Sequence, residues 1–183
     1  MPRAPLSSAA KAELWRTAHA LADAARPATL AHFRSPSLSA DTKETDRFDP
    51  VTAADRASEA AMRAVLARMR PDDAILGEEE AAKSGTSGLT WVIDPIDGTR
   101  GYLSGTPTWG VLVGLSDDEG PLLGIIDQPY IRERFWGGLG EAWVEGPMGR
   151  AALGARAARP MSQAILYSTF PEVGTEAEGA AFR

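Results

Sequence analysis

The chain has 183 residues, 19 Lys+Arg against 25 Asp+Glu for a formal net charge of −6, two His and no Cys. That length makes one domain or a little more, and a chain of this size buries roughly 70% of its unfolded surface without disulfide or metal support. The lack of Cys excludes a thiolate zinc site and a redox pair, while His19 and His32 are too sparse for a His-rich metal site or a Ser-His-Asp triad. A negative balance without any Lys/Arg run points away from nucleic acid and membrane surfaces and toward a small molecule. Residues 1–40 hold no apolar run long enough for a signal sequence or spanning helix, so the expected compartment is the cytoplasm.

In chain order, Ser8 is placed to cap a first helix whose residues Leu14, Ala18, Leu21, Ala22 and Ala25 follow helical spacing, with Pro27 kinking or ending it. Residues 34–50, dominated by Ser, Pro, Asp and Thr, read as a mobile loop. A second helix starts near Thr52, where Thr52 and Asp55 form a capping-box-like pair. Met62, Val65, Leu66 and Met69 then give it one buried face, and Pro71 stops it.

Beyond Pro71 the pattern changes to short apolar runs. They predict strands at 74–76, 89–93, 109–115 and 122–126, with 116–121 as a hairpin turn. Two more are placed at 134–137 and 142–145, around Gly137, Gly138 and Gly140. Helices followed by a strand meander make an α+β layered domain. Trp91, Trp109, Trp136 and Trp143 read as core or sheet packing rather than a stacking platform, and the two histidines as bystanders.

Residues 41–80 hold eleven of the 25 acids against six bases. Alone, that composition describes a solvated acidic surface. The placement of the acids relative to the strands says more. Trp91-Val92-Ile93 runs directly into Asp94-Pro95-Ile96-Asp97-Gly98-Thr99, so two carboxylates leave a strand end on a turn that Pro95 stiffens and Gly98 opens to close approach. If Gly98-Thr99 opens a short helix, its free N–H groups favour an anion such as phosphate.

The run at 74–76 leads through Gly77 to Glu78, Glu79 and Glu80. If the strands at 74–76 and 91–93 are neighbours, Glu78 faces Asp94 and Asp97, and like charges that close raise each other's pKa unless a cation lies between them. An all-oxygen set suits Mg²⁺ or Mn²⁺, which keep waters and bind substrate phosphate. A Glu triplet or an Asp-Pro-x-Asp-Gly turn is uninformative alone; together at strand ends they read as a site.

Asp49-Pro50-Val51-Thr52-Ala53-Ala54-Asp55, then Gly77-Glu78-Glu79, then the segment from Trp91 to Thr99, in this order and spacing, resemble the inositol monophosphatase superfamily. The resemblance runs from about residue 10 to the end. Arg100, the stretch at 124–129 and Glu133-Arg134-Phe135-Trp136-Gly137 are most similar to the histidinol-phosphate phosphatase branch, as are Arg159-Pro160 and the segment at 165–169.

The resemblance implies a layered α/β sandwich, N-terminal helices on a largely antiparallel sheet. Residues 1–155 would form the metal- and phosphate-binding domain and 156–183 the start of a C-terminal α/β domain. It implies a Mg²⁺-dependent phosphate monoester hydrolase with no phosphoenzyme intermediate, usually a homodimer. The implied substrate is a small phosphorylated metabolite, histidinol phosphate of histidine biosynthesis first, with inositol 1-phosphate or a nucleotide 3′-phosphate as the alternative.

Carried over residue by residue, Glu78, Glu79, Asp94, the Ile96 carbonyl and Asp97 are implied metal contacts. Thr99, held by Asp55, would orient the attacking water, so that Thr99, Asp55 and Glu78 form the catalytic set. Gly98 and Thr99 would supply phosphate-binding amides, and Lys43 would approach from a loop. Arg100 is left between a substrate contact and a surface salt bridge. Family members also carry a metal-binding Asp directly after a Trp in a second α/β half. Here the five Trp residues are followed by Arg16, Val92, Gly110, Gly137 and Val144. The chain therefore reads as truncated before its last metal ligand, weakly active or inactive, with a non-catalytic fragment or interaction module as a further alternative.

Overall fold

The computed structural model describes residues 6–36, 40–42, 50–165 and 175–182. They fall into two compact units, Met1–Leu153 and Gly154–Arg183. The second contains a 3₁₀ turn, Met161–Gln163, and a short helix, Glu176–Phe182. Among the described residues no helix is long and apolar enough to cross a membrane.

Helix α1 spans Ser8–His32. Its cap is Ser7 rather than the expected Ser8. Ser7 has the extended backbone a cap needs, and its Oγ accepts from the Ala10 N–H at 3.2 Å. Pro27 does not end the helix either. A proline inside a helix removes a donor and costs about 3 kcal/mol, but the turn beyond it is held by tertiary contacts. Thr29 is buried, its hydroxyl donates to the Arg26 carbonyl (2.9 Å) and its carbonyl accepts from Tyr102 Oη (2.6 Å). Phe33, which follows, packs against Tyr102, Trp109 and Tyr130.

Part of the segment expected as loop is a small antiparallel ribbon. Strand β1, Ala40–Thr42, pairs with β2, Pro50–Thr52. Three residues are too few to show a period-two signal. The rest of that expected loop, including Lys43, lies outside the described residues. Helix α2, Ala53–Met69, starts with a complete capping box: Thr52 caps it and Asp55 Oδ2 accepts from the Thr52 N–H at 2.8 Å.

The remaining strands are β3 (Ala74–Gly77), β4 (Thr90–Asp97), β5 (Gly110–Asp117), β6 (Gly120–Gln128), β7 (Glu133–Gly138), β8 (Glu141–Gly146) and β9 (Gly149–Ala152). They form one seven-stranded sheet in chain order. β3 runs parallel to β4 and every later pair is antiparallel. The expected α+β architecture on a largely antiparallel sheet is the observed one. β9 was not expected, because all four of its residues are exposed and show no apolar alternation.

Most strands outrun the apolar runs that announced them. In β4 the difference matters: Asp94-Pro95-Ile96-Asp97, expected as a turn, is the strand's own end, with a register shift between Asp94 and Asp97. Pro95 has no N–H for the ladder, which is why the irregularity falls there.

Helices α1 and α2 cover one face of the sheet. The core between them gathers Leu21, Met62, Leu66, Trp91, Ile93, Val113, Leu115, Ile125 and Trp136. Trp91 Nε1 donates to Asp73 Oδ2 at 2.8 Å, and His19 meets Trp136 edge to face, so both residues serve packing. On the other face Val92, Leu112, Ile126 and Phe135 line an apolar groove of about 690 Å³ that reaches Asp94.

Candidate metal and phosphate site

Parallel strands end at the same edge of a sheet. β3 and β4 are parallel, with Gly77 opposite Ile93, so Glu78 leaves β3 next to Asp94 in β4. The two carboxyl groups hydrogen-bond each other. Burial first, then the charge and hydrogen bond of Glu78, then the charge of Asp97, push Asp94 up to about 8, while the Ile96 N–H on Asp94 Oδ1 (3.1 Å) opposes the rise. Asp97 stands exposed at the strand end.

The chain then turns at Gly98, whose φ of +87° lies in the left-handed region that favours glycine. A Cβ there would stand 2.9 Å from the Thr108 carbonyl oxygen. Helix α3, Thr99–Ser104, follows. Thr99 Oγ1 donates to the Ile96 carbonyl at 3.0 Å, and Tyr102 anchors α3 to α1 through the Thr29 carbonyl. Asp55 is 2% exposed and engaged with Thr52 in the capping box. Tyr102 is raised above its usual pKa, by burial first and then by the negative charge of Asp55, which places Asp55 within electrostatic reach of α3.

Glu79 is half-buried and Arg100 is exposed in the first turn of α3. One residue that the sequence reading passed over is central here. Glu59 of α2 is fully buried, and its carboxylate accepts from the N–H groups of Glu79 (2.7 Å) and Glu80 (3.1 Å). Its signal was present in the spacing, since Glu59 lies three and seven residues before the buried Met62 and Leu66, on the apolar stripe of an amphipathic helix.

Among the described residues no three carboxylate or imidazole groups converge closely enough to hold a metal ion as they stand. Glu78 and Asp94 are nevertheless adjacent, and burial together with the charge and hydrogen bond of Glu78 pushes the pKa of the Asp94 carboxyl up, so that it retains a proton. A proton held on the half-buried Asp94 beside Glu78 does what a cation would do, removing the repulsion of like charges. The donors, two carboxylates with Asp97 and the Ile96 carbonyl beside them, are all oxygens, which fits a hard divalent ion such as Mg²⁺ or Mn²⁺.

Residues 10–177 match the model of the inositol monophosphatase family. The chain belongs to the inositol monophosphatase family. Among its relatives, the histidinol-phosphatase of Mycobacterium tuberculosis is 41% identical over 66% of this chain and 46% of its own length. A chloroplastic bifunctional phosphatase of Arabidopsis thaliana is 35% identical over 90% of this chain and 46% of its own. Of solved structures, an inositol monophosphatase from Zymomonas mobilis is 36% identical and superposes with a TM-score of 0.73 over 93% of this chain and 63% of that one. The chain thus spans about half the length of these two curated members of the family.

Proposed function

We propose that this chain carries the metal and phosphate site of a Mg²⁺-dependent phosphate monoester hydrolase whose substrate is histidinol phosphate. The observation that carries the reading is the Glu78–Asp94 pair at two parallel strand ends, with Asp97 and the start of α3 beside it. The histidinol assignment is supported by histidinol-phosphatases of Mycobacterium tuberculosis and Streptomyces coelicolor at 41% and 42% identity.

Glu78, Asp94, Asp97 and the Ile96 carbonyl would hold the cation, with Glu79 adjoining. When bound, Mg²⁺ supplies positive charge that lowers the pKa of water and offsets the charge of the phosphoryl oxygens. To bind it Asp94 would have to give up the proton that its raised pKa retains. Thr99, its hydroxyl proton committed to the Ile96 carbonyl, has lone pairs left to accept from the attacking water and so orient it. The amides of Gly98 and Thr99 would face phosphate oxygens. Asp55 fixes the start of α2 near α3, and the chain supplies no cysteine nucleophile, in keeping with direct attack by water.

Inositol 1-phosphate is the second reading, favoured by the likeness to the Zymomonas mobilis inositol monophosphatase. Phosphate release in Mg²⁺ from histidinol phosphate, inositol 1-phosphate and adenosine 3′,5′-bisphosphate separates these substrates. Preference for either of the last two overturns the histidinol assignment. Calorimetric titration with Mg²⁺ tests the site itself. Equal heats from wild type and an Asp94→Asn, Asp97→Asn double variant would remove it, and heat without phosphate release would make the chain a cation binder without turnover.

A further inference from the structure

We propose that Glu59 is a positioning residue for the metal site, a buried clamp that fixes the turn carrying Glu78; this rests on the reading that Glu78 holds the cation. Glu59 lies on α2, eighteen or more residues before the turn, and has no exposure at all. Its two oxygens are shared among three donors. Oε2 accepts from the Glu79 N–H (2.7 Å), and Oε1 from the Glu80 N–H (3.1 Å) and Arg63 Nε (2.8 Å). Arg63 closes the arrangement by donating from Nη2 to the Glu80 carbonyl at 3.0 Å.

Gly77 makes the approach feasible. A Cβ at that position would stand 2.1 Å from Glu59 Oε1 and 2.5 Å from Cδ, far inside contact distance. Its backbone is not in the left-handed region, so the glycine is demanded by space and not by conformation. Glu78 is therefore held on both sides. Before it, Gly77 is locked in the parallel ladder opposite Ile93; after it, two successive amides are tied to Glu59.

Charge alone would not put Glu59 there. A buried carboxylate placed under three consecutive acids adds repulsion, and burying it is costly unless it is paired and hydrogen-bonded. Arg63 offsets part of that cost. What the carboxylate adds is a rigid turn, and a ligand held by outer partners binds metal more tightly than one left to find its own geometry.

The test compares wild type with Glu59→Gln, Gly77→Ala and Met62→Ala. Met62, fully buried on the same helix, controls for loss of stability alone. Mn²⁺ affinity by calorimetry and amide exchange at Glu79 and Glu80 are the two readouts. Glu59→Gln keeps the shape but turns an NH₂ toward a donor, and is expected to weaken Mn²⁺ about 10–100-fold and to speed exchange at both amides. Gly77→Ala displaces the Glu59 carboxylate and is expected to do the same, whereas Met62→Ala leaves Mn²⁺ affinity near that of wild type. Wild-type affinity in Glu59→Gln overturns the proposal, as does an equal loss in Met62→Ala. Failure of wild type to bind Mn²⁺ overturns the functional reading on which it rests. Unchanged exchange at Glu79 and Glu80 in Glu59→Gln overturns the clamp whatever the metal does.

Discussion

Gly77 of β3 lies opposite Ile93 of β4 in a parallel pair. The direction of that pairing makes the site. Parallel strands bring their C-terminal ends to one edge, so Glu78, directly after β3, meets Asp94, near the end of β4. Antiparallel pairing of the same four-residue strand would have carried Glu78 about 13 Å away, at roughly 3.3 Å per residue.

The raised pKa of Asp94 gives stability a definite pH dependence. Asp94 titrates near 8 in the folded chain against a usual value of 3.8, so between those values the folded state retains a proton that the unfolded state has released. Stability falls as pH rises through that window and levels off above it. The metal-free chain should unfold at lower temperature near about pH 8.5 than near about pH 5.5, and Asp94→Asn should flatten that trend. Mg²⁺ should raise the midpoint more at the higher pH, where it displaces no proton. Thermal unfolding followed by circular dichroism measures all three, and a slope that Asp94→Asn leaves unchanged would remove Asp94 as its source.

The acids of the site were legible because each follows an apolar run that could only be a strand, and the family motifs fixed their order. The condition attached to them, that the two strands be neighbours, was not legible, since nothing in a four-residue strand such as Ala74–Gly77 declares its partner. Pro27 was expected to kink or end α1, and that it does not end the helix has a related reason: local propensity cannot see Tyr102 gripping Thr29 from 73 residues away. Glu59 was hidden differently. Counted among the eleven acids of its segment it looked solvated, although its position on the apolar stripe of α2 marked it as buried.

A second charged cluster ties α1 to the sheet. The Asp127 side chain on β6 has no exposure and accepts from Arg26 Nη2 and Arg134 Nε, both at 2.7 Å. Removing one partner of a buried charge group costs more than the pair itself contributes, because the others are left uncompensated. Asp127→Asn is expected to lower unfolding free energy by about 2–4 kcal/mol, below the upper end for such losses because Arg134 keeps Asp23. Arg26→Ala should cost less, since Arg26 is 35% exposed and its loss leaves Asp127 still paired with Arg134. Urea unfolding ranks the two, and equal losses would mean that burial of Asp127 does not set the cost.

Gly98 offers the sharpest separation of backbone strain from close packing. At a φ of +87° an L side chain costs about 1–2 kcal/mol. Gly88 shares that strain, with a φ of +81°, but its Cβ would meet nothing within 4 Å, whereas the Cβ of Gly98 would press on the Thr108 carbonyl oxygen at 2.9 Å. That oxygen belongs to backbone and cannot swing aside, so relief must come from movement of the β4–α3 junction, where Ile96, Asp97 and Thr99 sit. Gly88→Ala should therefore lower stability by only about 1 kcal/mol and leave Mn²⁺ affinity unchanged. Gly98→Ala should lose more stability and weaken Mn²⁺ as well. Equal unfolding free energies and equal affinities for the two variants would show that the Gly98–Thr108 approach does not shape the site.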